Sequence, residues 1–423
     1  MYEIFFMVCA LLCNFFCYCQ DDLLSVIVVF RHGARTPIDP YPNDPYRNSS
    51  YWPVGFGQLT DAGKKEQYEL GQWFRKRYGS FISANYSEND IYVKSTDVDR
   101  TLMSAEANLA GFFPPQNEFV ENLAWQPIPV HSTKETEDEL LAMKKSCPKY
   151  DKLSKELGKE PFFKNLSHTY HDLYAYLTRF SGTTVSDPDT VEYIYNTLTI
   201  ERSFNFTLPP WTVNVFPKKM EYLSSLSFAM DTYTTDLARL KTGPFFNLIT
   251  EHFKNVSGDF LGHHNHSKED VWNRKFLIFS GHDTTIANIL NSMGLFDLHS
   301  PPFASTILFE LRRKFDNSTY LNLFYKNSSN PIQLCLKGCQ LDCDLGRFIE
   351  ILEPITVDPK RWKEECTLSW LDFLPFGYEG NIVAVTMLLS FTLISLCLLC
   401  ALNCLKGEKS GKALYEQLSS EEA

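Results

Sequence analysis

Between residues 23 and 30 every side chain except Ser25 is apolar, and the chain then reads Arg31, His32, Gly33, Ala34, Arg35, Thr36, Pro37. A Val- and Ile-rich run of this length suits a strand covered on both faces. That constrains the fold strongly, because such strands belong to parallel sheets with helices on both sides, and ligands sit beyond their carboxyl ends. The Arg-His-Gly motif falls at that end. Gly33 lets the backbone fold closely, Pro37 stops the strand, and two guanidinium groups flank an imidazole. This is the chemistry of an anion site with a nucleophile inside it, although these residues alone would also suit a surface turn.

Two later stretches bear on that choice. Residues 276–279 form a second short apolar run, ending in Ser280, Gly281, His282, Asp283, Thr284, Thr285. A second strand would thus deliver a second imidazole with a carboxyl group beside it. A third candidate strand, 91–93, leads through Ser95, Thr96 and Asp97 to Arg100 near the start of a helix over 99–109, with Thr96 or Asp97 as its cap. Strands separated by helices imply a doubly wound, mostly parallel α/β sheet with helices on both faces.

Together these stretches resemble the histidine acid phosphatase family, a branch of the phosphoglycerate-mutase-like group, and within it the membrane-anchored lysosomal, prostatic and testicular type. The resemblance covers most of the chain before a late apolar segment, including Phe56, Gly57, Gln58, Leu59, Thr60 and the stretch from Asn205 to Trp211. It implies His32 as nucleophile and Asp283 as proton donor, with Arg31, Arg35, Arg100 and His282 holding phosphate and Trp211 near the mouth of the site. The implied reaction is hydrolysis of small phosphate monoesters through a phosphohistidine, with no metal or other cofactor. Alternatives are a phytase, a dedicated lipid or phosphotyrosine phosphatase, and a catalytically silent glycosylated surface binding protein.

At 423 residues the chain exceeds the usual size of one core, so a second, smaller domain is expected. A net charge of −11 argues against nucleic acid as a partner, since neutralising a phosphate backbone needs a basic surface. The order expected is a signal peptide over 1–19, an α/β catalytic domain from 20–130 and 237–380, and a smaller, mostly helical domain over 131–236. Within these, helices are expected at 60–79, 135–145, 164–180 and 245–253, and further strands at 306–311 and 320–325. His263, His264 and His266 lie among Asn265 and Ser267 with no carboxylate or cysteine at a supporting spacing, which reads as a solvated loop and not a metal site.

Eight Asn-x-Ser/Thr acceptors, Asn48, Asn85, Asn165, Asn205, Asn255, Asn265, Asn317 and Asn327, precede the late apolar segment and suggest a glycosylated luminal part. That part also carries Cys147, Cys335, Cys339, Cys343 and Cys366, and spacing alone permits many pairings. The family resemblance implies Cys147 with Cys366 and Cys339 with Cys343, leaving Cys335 unpaired.

Residues 382–402 carry no charge and are apolar around the whole circumference of a helix, which at about 1.5 Å per residue would cross a bilayer core. Lys406, Lys409 and Lys412 follow, and basic residues favour the cytoplasmic side, so a single-pass type I protein of the lysosomal membrane or cell surface is expected, with 403–423 as its tail. In that tail Tyr415 with Leu418 resembles a sorting signal read by clathrin adaptors. A homodimer is implied by the resemblance alone.

Overall fold

The computed structural model describes residues 21–115, 119–123, 125–258, 274–328, 330–369, 383 and 385–403. The chain divides into two compact units, Met1–Cys366 and Thr367–Ala423.

The first unit is organised on β1 (Asp22–Arg31), in which Val26, Ile27, Val28, Val29 and Phe30 expose no surface. One side of β1 pairs in parallel with β4 (Phe276–Gly281), which pairs in parallel with β2 (Ile91–Thr96), and β2 with the edge strand β3 (His131–Thr133). On its other side β1 pairs antiparallel with β5 (Thr306–Arg313), followed by antiparallel β6 (Thr319–Lys326) and β7 (Ile332–Leu334); β8 (Cys343–Asp344) also joins β6. The sheet is therefore mixed and not mostly parallel. For β5 and β6 the cause is local: residues 314–318 are far too few for a crossover, and Asn317 at φ 68° lets the chain reverse into a hairpin.

Helices cover both faces. On one, α1 (Asp61–Tyr78) and α2 (Asp99–Phe112) pack Phe74 and Phe112 onto Val26, Val28, Phe30 and Phe276. Five helices follow in the chain: α3 (Pro148–Leu157), α4 (Pro161–Thr169), α5 (His171–Ser181), α6 (Pro188–Ser203) and α7 (Glu221–Met230). They enclose a cluster of their own that includes Leu177, Val191, Ile194, Leu198 and Leu223, with Tyr41 buried among them. The chain then returns to the sheet through α8 (Thr235–Ser257) and α9 (Asp283–Ser292), whose Phe245, Ile249, Ile286 and Ile289 meet Ile27 and Val29 on the second face. Two short helices, α10 (Leu345–Leu352) and α11 (Pro359–Glu365), close the unit.

Local chemistry explains where helices differ from expectation. The helix expected over 135–145 is reduced to a single turn at Glu135–Glu137. There the Asp138 carboxylate accepts from the amides of Leu140, Leu141 and Ala142, capturing donors that a helix would use, and Met143 adopts φ 53°. The helix expected over 164–180 is two helices, α4 and α5, which meet at Tyr170.

Cys147 pairs with Cys366 and Cys339 with Cys343, while Cys335 is free. Asn48, Asn85, Asn165, Asn205, Asn317 and Asn327 are exposed and Asn255 is half-buried; Asn265 lies outside the described residues, as do His263, His264, His266, the expected signal peptide, Tyr415 and Leu418. In the second unit α12 (Val385–Asn403), 19 residues with mean hydropathy 2.4, is long and apolar enough to cross a membrane.

Candidate active site

Because β1 and β4 are parallel neighbours with Arg31 opposite Gly281, the residues that leave their carboxyl ends emerge side by side. The amide of His32 donates to Gly281 O (3.0 Å), and the rings of His32 and His282 meet edge to face with centroids 5.7 Å apart. Asp283 begins α9, and its carboxylate takes an ion pair from Arg31 at 2.7 Å. Arg100, one residue into α2, reaches the same place from β2, with its NH2 group 3.4 Å from His282 Nδ1. Arg35 follows in the loop after β1 and is held by Asn196 of α6 at 3.2 Å. The structure thus brings His32, His282, Asp283 and three arginines together from stretches far apart in sequence.

The loop carrying His32 is pinned by its backbone. Gly33 and Gly63 pass so closely that a Cβ on Gly33 would lie 2.2 Å from Gly63 O. The Gly33 amide donates to Ser104 Oγ (3.1 Å), the Ala34 amide to Glu66 Oε2 (2.8 Å), and Gln67 Nε2 to the Arg31 carbonyl (2.8 Å). Arg31 is further fixed by the Pro301 carbonyl and by lying 4.1 Å over the Phe303 ring.

Two tautomers follow from these contacts. Nδ1 of His32 lies 2.8 Å from Gly33 O, and a carbonyl can only accept, so Nδ1 carries the proton and Nε2 keeps a free lone pair. Thr101 spends its single hydroxyl proton on a carbonyl, Val98 O at 2.7 Å or Thr96 O at 3.0 Å, so it accepts from Thr96 at 2.8 Å. Thr96 in turn must accept from His282 Nε2–H at 3.0 Å. His282 therefore presents Nδ1 as an acceptor toward Arg100. Thr96, expected as a possible cap for α2, is used here instead, and Val98 occupies the cap position without a side-chain bond.

Electrostatics agree with this picture. Burial, then the charges of Arg31 and Arg35, hold His32 well below the ordinary histidine range. Burial and Arg100 pull His282 down to about 3, so it is a neutral ring and not one of the cations. Burial followed by Arg31 brings Arg35 down to about 9. For Asp283 burial opposes ionisation, but Arg31 and then Arg35 outweigh it and keep the carboxylate charged. Arg31, Arg35 and Arg100 each leave a buried Nε–H with no partner among the described residues, three donors that an anion would satisfy.

Trp211 packs among the helices, with Tyr41 edge-on and Phe180 stacked at ring-centroid distances of 6.1 and 6.0 Å. A cavity of about 650 Å³ adjoins Arg31 and is lined by Asn196, Tyr222, Phe303 and Lys218, and a smaller one adjoins Arg35 and Asp283; Trp211 lines neither. Sequence reasoning gave Thr96 only a capping role and missed Ser104, Gln67, Asn196 and Phe303. None carries a local signal, because each acts through a partner distant in the chain. Among the described residues no group of three His, Cys, Asp or Glu side chains gathers as metal ligands.

A family model described as the histidine phosphatase superfamily (branch 2) matches residues 22–326. Prostatic acid phosphatase of Homo sapiens is 38% identical over 356 residues, covering 82% of this chain and 88% of that protein. Lysosomal acid phosphatase of Homo sapiens is 36% identical over 359 residues, covering 82% and 81%. Lysosomal acid phosphatase of Xenopus laevis is 34% identical over 409 residues, covering 95% and 90%. Among solved structures, Hafnia alvei phytase in complex with tartrate shares the fold at a TM-score of 0.60 and 17% identity, covering 82% of this chain and 99% of that one. With the family model spanning most of the chain and relatives above 30% identity along it, this chain belongs to the histidine phosphatase superfamily, branch 2.

Proposed function

We propose that this chain is an acid phosphatase that hydrolyses small phosphate monoesters through a phosphohistidine on His32. One observation carries the reading: the His32 Nδ1–H is spent on Gly33 O, so Nε2 keeps its lone pair among three guanidinium groups with unsatisfied donors. The names of the relatives, acid phosphatases at 34–38% identity along most of the chain, point the same way.

The mechanism follows from charge and tautomer. Arg31, Arg35 and Arg100 hold the phosphoryl oxygens with planar, fixed donors, and His282, neutral, orients Arg100. His32 Nε2 attacks phosphorus, the P–O bond breaks, and the departing alcohol takes a proton from Asp283. Water then gives a proton to Asp283 as it attacks phosphorus, and the P–N bond breaks. The proton has a source: a phosphate monoester loses its second proton at about pH 6, so below that it arrives as a monoanion whose proton can pass to Asp283. An acid optimum follows, because His32 stays unprotonated well below the ordinary histidine range while the substrate must be protonated.

In the same reading the catalytic part is a glycosylated luminal or extracellular ectodomain, with a smaller helical domain over 131–236. It is anchored by α12 as a single-pass type I protein of the lysosomal membrane or cell surface, after removal of a signal peptide. Lysosomal relatives support this, as does the exposure of most Asn-x-Ser/Thr acceptors. Tyr415 and Leu418 would be read by a clathrin adaptor, and the ectodomain would form a homodimer. The test of the activity is phosphate release by the full-length chain in detergent from a panel of monoesters between pH 4 and 8, with a chelator present. Turnover that declines above about pH 6 and is indifferent to the chelator supports the reading; no turnover on any ester would leave a binding protein.

A further inference from the structure

A cavity of about 150 Å³ opens beside Arg35 and Asp283, and its walls include Glu192 and Asn196 of α6 and Asp39 of the loop after β1. Arg35 is buried in that wall, and its Nε–H has no partner among the described residues. Glu192, half-buried, makes no hydrogen bond or ion pair with any described residue, only longer-range interactions with Asp283, Arg35, Arg31 and Asp189.

The arginines gather where the phosphoryl group is held, and Asp283, as proton donor, marks the side on which the alcohol departs. Glu192 and Asp39 share the cavity with Asp283 and Arg35, so on the leaving-group side three carboxyls stand against one guanidinium. An alcohol with its own cation near the ester oxygen complements that side, whereas one with a second anion meets repulsion.

We propose that Glu192 sets leaving-group specificity, favouring phosphomonoesters of amino alcohols and rejecting leaving groups that carry a second negative charge. The assignment rests on the phosphatase reading above. Burial and the charge of Asp283 push the Glu192 carboxyl up to about 7, against the pull of Arg35 and Arg31. Facing it are Arg31, Arg35 and Asp39 from β1 and its loop, Asp283 from α9 and Asp189 from its own helix, while Phe228 of α7 brings no charge. Glu192 is therefore largely neutral at pH 5 and charged at pH 8, and selection strengthens between them.

The test compares kcat/KM for O-phosphoethanolamine, propyl phosphate and phosphoglycolate at pH 5 and 8, using the full-length chain and Glu192→Gln. Comparing substrate ratios between the two proteins cancels the differing basicity of the leaving groups. At pH 8 the substitution should lower the phosphoethanolamine to propyl phosphate ratio by on the order of tenfold and raise the phosphoglycolate to propyl phosphate ratio, as loss of one nearby charge requires. At pH 5 both changes should be small. Ratios unaltered by the substitution at both pH values, with turnover intact, overturn the role of Glu192 alone. Absence of turnover on all three esters by the unaltered chain overturns the phosphatase reading and this assignment with it.

Discussion

Arg31 and Asp283 form a largely buried ion pair of 2.7 Å that ties the end of β1 to the first residue of α9. Beside Arg31 the carboxyl proposed as proton donor is therefore ionised, and an incoming phosphate must both compete for Arg31 and bring the proton. This makes Asp283 sensitive to substrate charge in a way that a free carboxyl would not be.

Asp283→Asn keeps the size of the side chain but removes the transferable proton. In the first chemical step, loss should be on the order of 10² to 10⁴ for alkyl phosphates, whose leaving groups are strongly basic, and much smaller for aryl phosphates. Burst or single-turnover kinetics are needed, because the same group assists the second step. Equal first-step losses would remove Asp283 from the donor role.

Gly33→Ala would place a methyl group 2.2 Å from Gly63 O, and neither backbone can yield without moving the His32 loop or the start of α1. A shift of about 1 Å in a nucleophile costs on the order of 10² in rate, so kcat/KM should fall at least that far. Retention of activity within threefold would show that the close backbone crossing does not position His32.

Much of this site was legible in the sequence, and for a physical reason. The continuous apolar runs of β1 and β4 mark fully covered strands, and whatever follows such strands emerges at one edge of the sheet. His32, His282 and Asp283 could thus be placed together from sequence. The antiparallel half of the sheet was missed although the five residues between Arg313 and Thr319 exclude a crossover. What Thr96 does was not legible at all, since its bonds to His282 and Thr101 exist only when β2 and β4 lie side by side.

Glu201 is fully buried beside Asp44, and burial followed by the Asp44 charge pushes its carboxyl up to about 9. A carboxyl whose folded value lies above its unfolded value contributes fully below the unfolded value, about 4.3, and its contribution is lost as pH rises toward the folded one. Thermal unfolding of the full-length chain should accordingly shift to lower temperature between pH 5 and 8, by several degrees, and Glu201→Gln should flatten that dependence. A slope unchanged by the substitution would assign the pH dependence elsewhere.

For the tail, Tyr415→Ala should move the steady-state distribution toward the plasma membrane and slow internalisation, as measured by surface labelling of cells expressing the full chain. Unchanged distribution and uptake would make the motif accidental.

The most direct test of the central claim is to quench the full-length chain in turnover with a phosphate-labelled ester, under conditions that preserve phosphohistidine, and to locate the label by peptide mapping. The account predicts label on His32, at Nε2, and none in His32→Ala. Label on a serine or aspartate, or full turnover by His32→Ala, would contradict it.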